Sequence, residues 1–339
     1  MPLWTVWQYL SARDPDVTLA DCVLAAVFAL ALPMRGDYDA QSLATFRAKL
    51  ESLSGGAYAR GVEKRWAVEE IEVRRDEGDA PLRVLLHTPK PPHDDDDEST
   101  KKTDKKKLPL VVWAHGGGFC AGSARDGTGL EVFTALRDAG VAVAWASVDY
   151  RLAPEHPHPA AIEDVVLAAK TLDATLEARG FASLSLAGVS AGATLALRAA
   201  LDDADFKLAS LFLYAPFLDP AADSASYVTH GARWNLAPFL RWCWAAYKDD
   251  EKPPVLARDD AYFAKLGLAA NETLVLTSRG DPLHDEGLAL VEKLKTTAEA
   301  GAVFHVDGKG SHAVAHLVDA TASKRLFAEW AAALRGDDS

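Results

Sequence analysis

The sequence is poor in cysteine and has no cysteine pair spaced for a metal site. Its three cysteines, Cys22, Cys120 and Cys243, are scattered along a chain of 339 residues. An odd, scattered set argues against a disulfide framework, and the lack of a C-x-x-C pair leaves a zinc–thiolate site without support. We therefore expect a protein of a reducing compartment with no metal.

A long hydrophobic run is also missing. The longest uninterrupted one, residues 22–32, stops at Pro33 and is too short to cross a bilayer. The first fifteen residues lack the basic stretch that opens a secretory signal. We expect a soluble, cytoplasmic protein without stable membrane insertion.

Positive charge is in the minority. The 36 Lys and Arg residues face 49 Asp and Glu residues, which gives a formal net charge of −13. Phosphate backbones repel such a chain, so we expect no nucleic-acid partner. Residues 88–107 combine an acidic block and a basic block without a large apolar side chain, which predicts a flexible, solvated loop.

Beyond that loop, apolar runs typical of buried strands alternate with segments of helical period. The length allows one large domain or two. Continuous apolar strands separated by helices predict a parallel sheet covered on both faces, hence an α/β fold. The predicted strands are 67–73, 82–87, 108–114, 141–147, 184–187, 210–214, 273–278 and 302–306, and the predicted helices are 129–139, 160–179, 191–204, 286–300 and 320–334.

Two segments break the alternation. Residues 1–61 are helical in character, and residues 219–260 interrupt the rhythm with several aromatic side chains. The second segment follows the carboxyl end of a strand, where α/β proteins form their sites, so we predict a lid over a pocket. Trp234 and Trp242 are candidate pocket residues, with ordinary helix packing as the alternative.

The strongest local pattern is G-V-S-A-G at residues 188–192, directly after a predicted strand and before a predicted helix. Two glycines permit a sharp turn that lifts the Ser190 hydroxyl above the sheet at a helix N-terminus. A tight turn with an inert serine is the alternative. In this context, the pattern predicts a nucleophile.

A second pattern, H-G-G-G-F at residues 115–119, follows another predicted strand. Successive glycines allow backbone N–H groups to face a cleft, as a developing oxyanion requires. A phosphate-binding loop is not supported, because no Gly-Lys-[Ser/Thr] follows. Phe119 is a further candidate for the pocket.

A serine nucleophile needs a base and an acid that orients the base. Asp281 lies nearest the end of a predicted strand, whereas Asp285 and Glu286 suit the first turn of a helix. His312 follows the flexible turn 308–311, and His316 is expected one turn into a helix. The sequence therefore predicts Ser190, Asp281 and His312 as the catalytic residues.

Together with D-Y-R-L-A-P-E-H-P at residues 149–157 and D-P-L-H-D-E-G at residues 281–287, these patterns resemble the hormone-sensitive-lipase-like family of α/β-hydrolase esterases. The resemblance implies an α/β-hydrolase fold with a mostly parallel eight-stranded sheet. It implies a core of residues 62–339, a helical cap formed by 1–61 and 219–260, and a homodimer as a candidate assembly. The implied oxyanion donors are the N–H groups of Gly116, Gly117 and Ala191.

Three residues depart from the family pattern. Val189 stands where the family usually has Asp or Thr, Ala193 where it often has Gly, and Val314 where it often has a bulky residue. None of these replaces a residue of the predicted triad. The features that they leave open are the shape of the pocket and the hydrogen bonds around the site.

The predicted activity is hydrolysis of small to medium acyl esters through an acyl-enzyme, with no cofactor and a small-molecule ester as the partner. An amidase or deacetylase with the same triad stays open, because both chemistries use the same groups. A non-catalytic small-molecule receptor on this scaffold is the other alternative. Receptors of that kind lose the catalytic histidine, whereas His312 is present.

Overall fold

The computed structural model of the chain describes residues 40–75, 80–90, 107–202, 206–231, 236–248, 254–297, 299–313, 315 and 319–335. Several predictions therefore lie outside the described residues. They concern residues 1–39, most of the charged loop, Trp234, Val314 and His316.

A single eight-stranded sheet organises these residues. Its strands, β1 to β8 in chain order, are Trp66–Val73, Leu82–Pro89, Leu108–Ala114, Ala144–Val148, Phe181–Val189, Leu211–Tyr214, Glu272–Ser278 and Ala302–Gly308. Their order in the sheet is β1-β2-β4-β3-β5-β6-β7-β8. Strand β1 pairs antiparallel with β2, and β2 pairs antiparallel with β4. All pairings from β4 to β8 are parallel, which confirms the predicted fold class.

Helices cover both faces of the sheet. Side chains alternate along a strand, so Leu110 and Val112 of β3 enter one hydrophobic cluster while Val111 and Trp113 enter the other. The α-helices, α1 to α9 in chain order, are Ala40–Arg65, Gly127–Asp138, Ala160–Ala174, Ala191–Asp202, Leu236–Tyr247, Asp260–Ala264, Leu266–Ala269, His284–Thr296 and Ala320–Arg335. No helix among the described residues is long and apolar enough to span a membrane.

Several element ends differ from the predicted ones. Strand β4 begins at Ala144 rather than at 141, because the Val141 N–H donates to the Leu136 carbonyl and closes the turn after α2. Helix α3 ends at Ala174 rather than at 179. The Thr175 N–H donates to the Leu172 carbonyl, three residues back, which tightens the last turn where the helix ends. Apolar pattern alone does not reveal such local hydrogen bonds.

The predicted boundary of the N-terminal segment, residue 61, falls within a helix. Helix α1 continues to Arg65 and leads directly into β1. A Cβ on Gly61 would lie 2.7 Å from Leu130 Cδ2, so this glycine allows α1 to pack closely on α2. It is a packing residue rather than a helix terminator.

Between β6 and β7 the chain leaves the strand–helix alternation at residues 215–271, which we call the insertion. It contains a π-helical turn at Tyr227–Gly231, helix α5, a 3-10 turn at Val255–Ala257, and the short helices α6 and α7. Phe46 of α1 packs edge-on against Phe239 of α5, with ring centroids 5.0 Å apart. The insertion therefore contacts the N-terminal helix.

A buried histidine anchors α1 to the sheet. His87 of β2 stacks on Trp145 of β4, with ring centroids 3.7 Å apart, and its Nε2 hydrogen-bonds the hydroxyl of Tyr58 in α1. Burial lowers the pKa of His87 to about 4. The ring is therefore neutral in the folded protein at neutral pH.

This histidine should make the protein sensitive to acid. As the pH decreases from 7.5 to 5, His87 becomes protonated in the unfolded chain but stays neutral in the folded one. The free energy of unfolding should therefore decrease by about 2 kcal/mol over this range. We expect His87→Phe to lose that part of the pH dependence. Urea unfolding followed by circular dichroism at the two pH values measures it.

The exposed His156 supplies the matched control. His156→Gln should keep the wild-type dependence on pH, since its side chain is exposed. An unchanged pH dependence in His87→Phe would contradict the assignment.

Candidate active site

Ser190 occupies the turn between β5, which ends at Val189, and α4, which begins at Ala191. Its φ is +57°, in the left-handed region that a side chain rarely adopts. A Cβ on Gly188 would lie 2.3 Å from the Gly192 carbonyl oxygen, and one on Gly192 would lie 2.0 Å from the Ala114 carbonyl oxygen. Glycine is therefore required at both positions, as the sequence pattern predicted.

The backbone of Ser190 is fixed by the strand next to it. Its N–H donates to the Tyr214 carbonyl at 2.8 Å, and its carbonyl accepts the N–H of Phe217 at 3.3 Å and that of Ala193 at 3.0 Å. The side chain is 5% exposed at the N-terminus of α4. The partial positive charge of a helix N-terminus favours negative charge that develops beside it.

Asp281 and His312 lie together at the carboxyl ends of β7 and β8. His312 Nδ1 lies 2.8 Å from Asp281 Oδ2, and the Leu283 N–H donates to Asp281 Oδ1 at 2.9 Å. The Gly280 N–H donates to the Gly310 carbonyl at 2.9 Å and joins the two loops. Asp281 is buried, whereas the side chain of His312 is 25% exposed. A nearly buried carboxylate thus orients an accessible imidazole.

The glycine loop lies directly against the serine turn. A Cβ on Gly116 would lie 3.4 Å from Ser190 Cβ, and a Cβ on Gly117, whose φ is +125°, would lie 2.1 Å from the Ala121 carbonyl oxygen. The loop is held by its carbonyl groups. Gly116 O lies 2.8 Å from His115 Nδ1, and Gly117 O accepts the N–H groups of Cys120 and Ala121.

Residues 149–151, the D-Y-R motif, hold this loop through hydrogen bonds to its backbone. The Tyr150 hydroxyl donates to the His115 carbonyl at 2.8 Å, and the two rings stack with centroids 4.0 Å apart. Asp149 Oδ1 accepts the Ala124 N–H at 2.9 Å. Burial lowers the pKa of His115, so the imidazole is neutral. In the sequence this motif carries only a family resemblance, and no local pattern reveals that it holds the loop.

The three predicted pocket residues have different outcomes. The ring of Phe119 is fully buried and stacks on Tyr247 at 4.0 Å, with Trp244 at 5.0 Å, so it joins the glycine loop to α5. Trp242, on α5, is half-buried and stacks on Phe239 at 6.3 Å. Trp234 lies outside the described residues.

The two rejected acid candidates hold the insertion. Glu286 is buried, and its carboxyl accepts the Asp219 N–H at 2.5 Å and the Tyr227 hydroxyl at 3.2 Å. Asp285 Oδ2 accepts the Ser226 N–H at 2.8 Å. Burial raises the pKa of Glu286 well above its usual range. Both residues lie in the first turn of α8, as predicted.

The described part of the chain was also compared with the requirements of a metal site. Across the ranges that the structure describes, no three His, Cys, Asp or Glu residues are grouped in a way that could hold a metal ion.

Comparisons with known proteins give one consistent result. The profile of a family described as the alpha/beta hydrolase fold matches residues 111–316. An acetyl-hydrolase of Streptomyces hygroscopicus is 40% identical over 241 residues, 68% of this chain and 78% of that protein. Probable carboxylesterase 13 of Arabidopsis thaliana is 29% identical over 262 residues, 68% of this chain and 78% of that protein.

A solved structure extends the similarity. The hyperthermophilic esterase of the archaeon Pyrobaculum calidifontis superimposes with a TM-score of 0.73 at 25% identity, over 94% of this chain and 98% of that one.

The buried Glu286 generates a stability prediction. Glu286→Ala removes the acceptor of the Asp219 N–H and empties a packed site, so we expect a loss of about 3 kcal/mol. Glu286→Gln keeps an acceptor oxygen and should lose about 1 kcal/mol. Denaturant unfolding of the purified variants measures both.

Glu292, exposed on the same helix, is the matched control. Glu292→Ala should stay within about 0.5 kcal/mol of the wild type. Equal losses in Glu286→Ala and Glu292→Ala would show that the buried contacts do not stabilise the fold.

Proposed function

The chain belongs to the α/β-hydrolase esterase family, and on that premise we propose that it is a serine carboxylesterase with a Ser190–His312–Asp281 triad. Its activity is carboxylic ester hydrolysis. The observation that carries the triad is the hydrogen bond between His312 Nδ1 and the buried Asp281 carboxylate, at the carboxyl edge where the strained Ser190 turn also lies.

The Asp281–His312 pair sets the chemistry of the imidazole. The Asp281 carboxylate accepts a hydrogen bond, so His312 carries its proton on Nδ1 and its basic lone pair on Nε2. As Ser190 Oγ attacks the acyl carbon of the ester, Nε2 takes the serine proton. Asp281 then stabilises the imidazolium that forms, and it holds the ring in the productive tautomer.

The attack converts the ester carbonyl oxygen into an oxyanion. We propose that the N–H groups of Gly116, Gly117 and Ala191 receive it, supported by the contact of the glycine loop with the serine turn. Each donor contributes about 3 kcal/mol to the stability of the transition state when well placed. Ala191 begins α4, so its N–H also benefits from the helix N-terminus.

The tetrahedral intermediate collapses when the C–O bond to the alcohol breaks and His312 Nε2–H protonates the departing oxygen. An acyl-enzyme on Ser190 remains. Water, deprotonated by the same nitrogen, then attacks the acyl carbon and releases the carboxylic acid and the free serine. The cycle uses no reactant except the ester and water.

Small to medium acyl groups suit the surroundings of the glycine loop. The rings of Phe119, Trp244 and Tyr247 fill the space between this loop and α5, and each is at most 7% exposed. The name of the Streptomyces hygroscopicus relative, acetyl-hydrolase, points to the same size class. Within this proposal, residues 1–61 and the segment 219–260 form the cap over the site.

Replacing the nucleophile provides the main test. We expect Ser190→Ala to lower kcat on p-nitrophenyl acetate by about 10⁶-fold, because no group replaces the attacking hydroxyl. Labelling by a fluorophosphonate probe should disappear in the same variant.

Ser183, in the opposite half of β5, is the matched control. Ser183→Ala should keep wild-type turnover and labelling. Turnover of Ser190→Ala near the wild-type value would contradict the mechanism.

Replacing the orienting acid tests the triad separately. Asp281→Asn no longer fixes the tautomer of His312, so we expect kcat to fall by about 10⁴-fold with little change in fold. Steady-state kinetics with circular dichroism measures both. Asp173→Asn, an exposed change on α3, should have no effect, and a fall in Asp285→Asn but not in Asp281→Asn would assign the acid to Asp285 instead.

A further inference from the structure

One arginine of α1 reaches the segment that follows the glycine loop. The Arg47 Nε donates to the Cys120 carbonyl at 2.7 Å, and its Nη2 donates to the Ala153 carbonyl at 2.9 Å. These acceptors lie 73 and 106 residues away in the sequence. A single guanidinium therefore ties the N-terminal helix to two loops of the core.

Glu155 fixes the orientation of this guanidinium. Its two carboxylate oxygens accept Nη1 and Nη2 of Arg47, each at 2.8 Å. The hydrogen bond to Arg47 lowers the pKa of Glu155 below its usual range. Glu155 is half exposed, so the pair adds little stability by itself. The paired hydrogen bonds instead orient the guanidinium so that its Nε–H points at the Cys120 carbonyl.

The Cys120 carbonyl is connected to the candidate oxyanion donors through the backbone. The N–H of Cys120 and that of Ala121 both donate to the Gly117 carbonyl, which belongs to the peptide next to the Gly117 N–H. The Ala153 N–H donates to the Phe119 carbonyl at 3.0 Å. Arg47 thus holds the far end of the tight turn 117–121, which directly follows Gly116, the residue that lies beside Ser190.

We propose that Arg47 is a positioning residue for the oxyanion hole, an inference that rests on the proposed function. Arg47 does not touch the reacting atoms. By holding the Cys120 and Ala153 carbonyls, it keeps the turn 117–121 in the conformation that directs the N–H groups of Gly116 and Gly117 at the oxyanion. Stabilisation of an oxyanion depends steeply on donor placement, and a shift of about 1 Å lowers rates up to 10²-fold.

Only a planar guanidinium group should be able to perform this positioning role at residue 47. Arg47 uses three nitrogens toward three acceptors in different directions, which a compact ammonium cannot reach together. A lysine would keep the charge and one contact. Its effect on activity should fall between those of arginine and an apolar side chain.

The experiment compares Arg47→Met and Arg47→Lys with the wild type on p-nitrophenyl acetate. We expect Arg47→Met to lower kcat about tenfold, less than the loss of a whole donor, with KM within about twofold. The inhibition constant of a trifluoromethyl ketone, whose adduct with Ser190 carries an oxyanion, should rise by the same factor. Millimolar methylguanidinium should restore part of the activity.

Arg60→Met is the matched control, because Arg60 is exposed on the same helix. It should leave kcat and the inhibition constant unchanged. If Arg47→Met loses thermal stability while both quantities stay within twofold of the wild type, the positioning role is overturned. If Arg47→Met does not fold, the same two quantities are read in Arg47→Lys.

Ser190→Ala, measured in parallel, separates this inference from the proposed function. An active Ser190→Ala would overturn the proposed function and this inference with it. An inactive Ser190→Ala together with wild-type kinetics in Arg47→Met would overturn the role of Arg47 alone.

Discussion

The whole site depends on a contact between two stretches of backbone that leaves no room for a side chain. The start of α4 lies so close to the end of β3 that a Cβ on Gly192 would overlap the Ala114 carbonyl. The chain must therefore turn from strand to helix within one residue, and Ser190 takes the strained conformation. Because Ala114 pairs with Gly188 in the parallel register, the glycine loop after β3 begins level with the serine turn. The proposed nucleophile and the proposed oxyanion donors are thus placed by a single register.

The same physical logic places the other two residues of the proposed triad. Ser278 of β7 pairs with Gly308 of β8, so the two loops leave the sheet at the same level. The hydrogen bond between Gly280 and Gly310 continues this pairing beyond the strands and brings Asp281 to His312. This part could be predicted from the sequence, since each residue follows a recognisable strand and parallel strands end at one edge of the sheet. The choice of Asp281 over its neighbours also followed from its distance to the strand end.

Contacts between distant residues were beyond sequence reasoning. Hydrophobic period reports on neighbours a few positions apart, whereas Tyr150 holds His115 across 35 residues and Glu286 holds Asp219 across 67. Helix α1 continues through Gly61, although glycine disfavours helix, and the missing side chain lets α2 approach. The burial of Phe119 is also a contact between distant residues. Sequence alone does not tell whether an aromatic side chain beside a glycine loop faces a pocket or packs on a neighbouring helix.

The aromatic contacts make catalysis and substrate choice physically dependent on each other. Phe119 lies between Gly118 and Cys120 in the chain, and its ring is clamped by Tyr247 and Trp244 of α5. A Cβ on Gly118 would lie 2.5 Å from Cys243 Sγ, so α5 also presses directly on the loop backbone. A change that moves α5 must therefore displace the loop that we propose binds the oxyanion, so in the proposed mechanism the packing of the insertion and the rate of catalysis are linked.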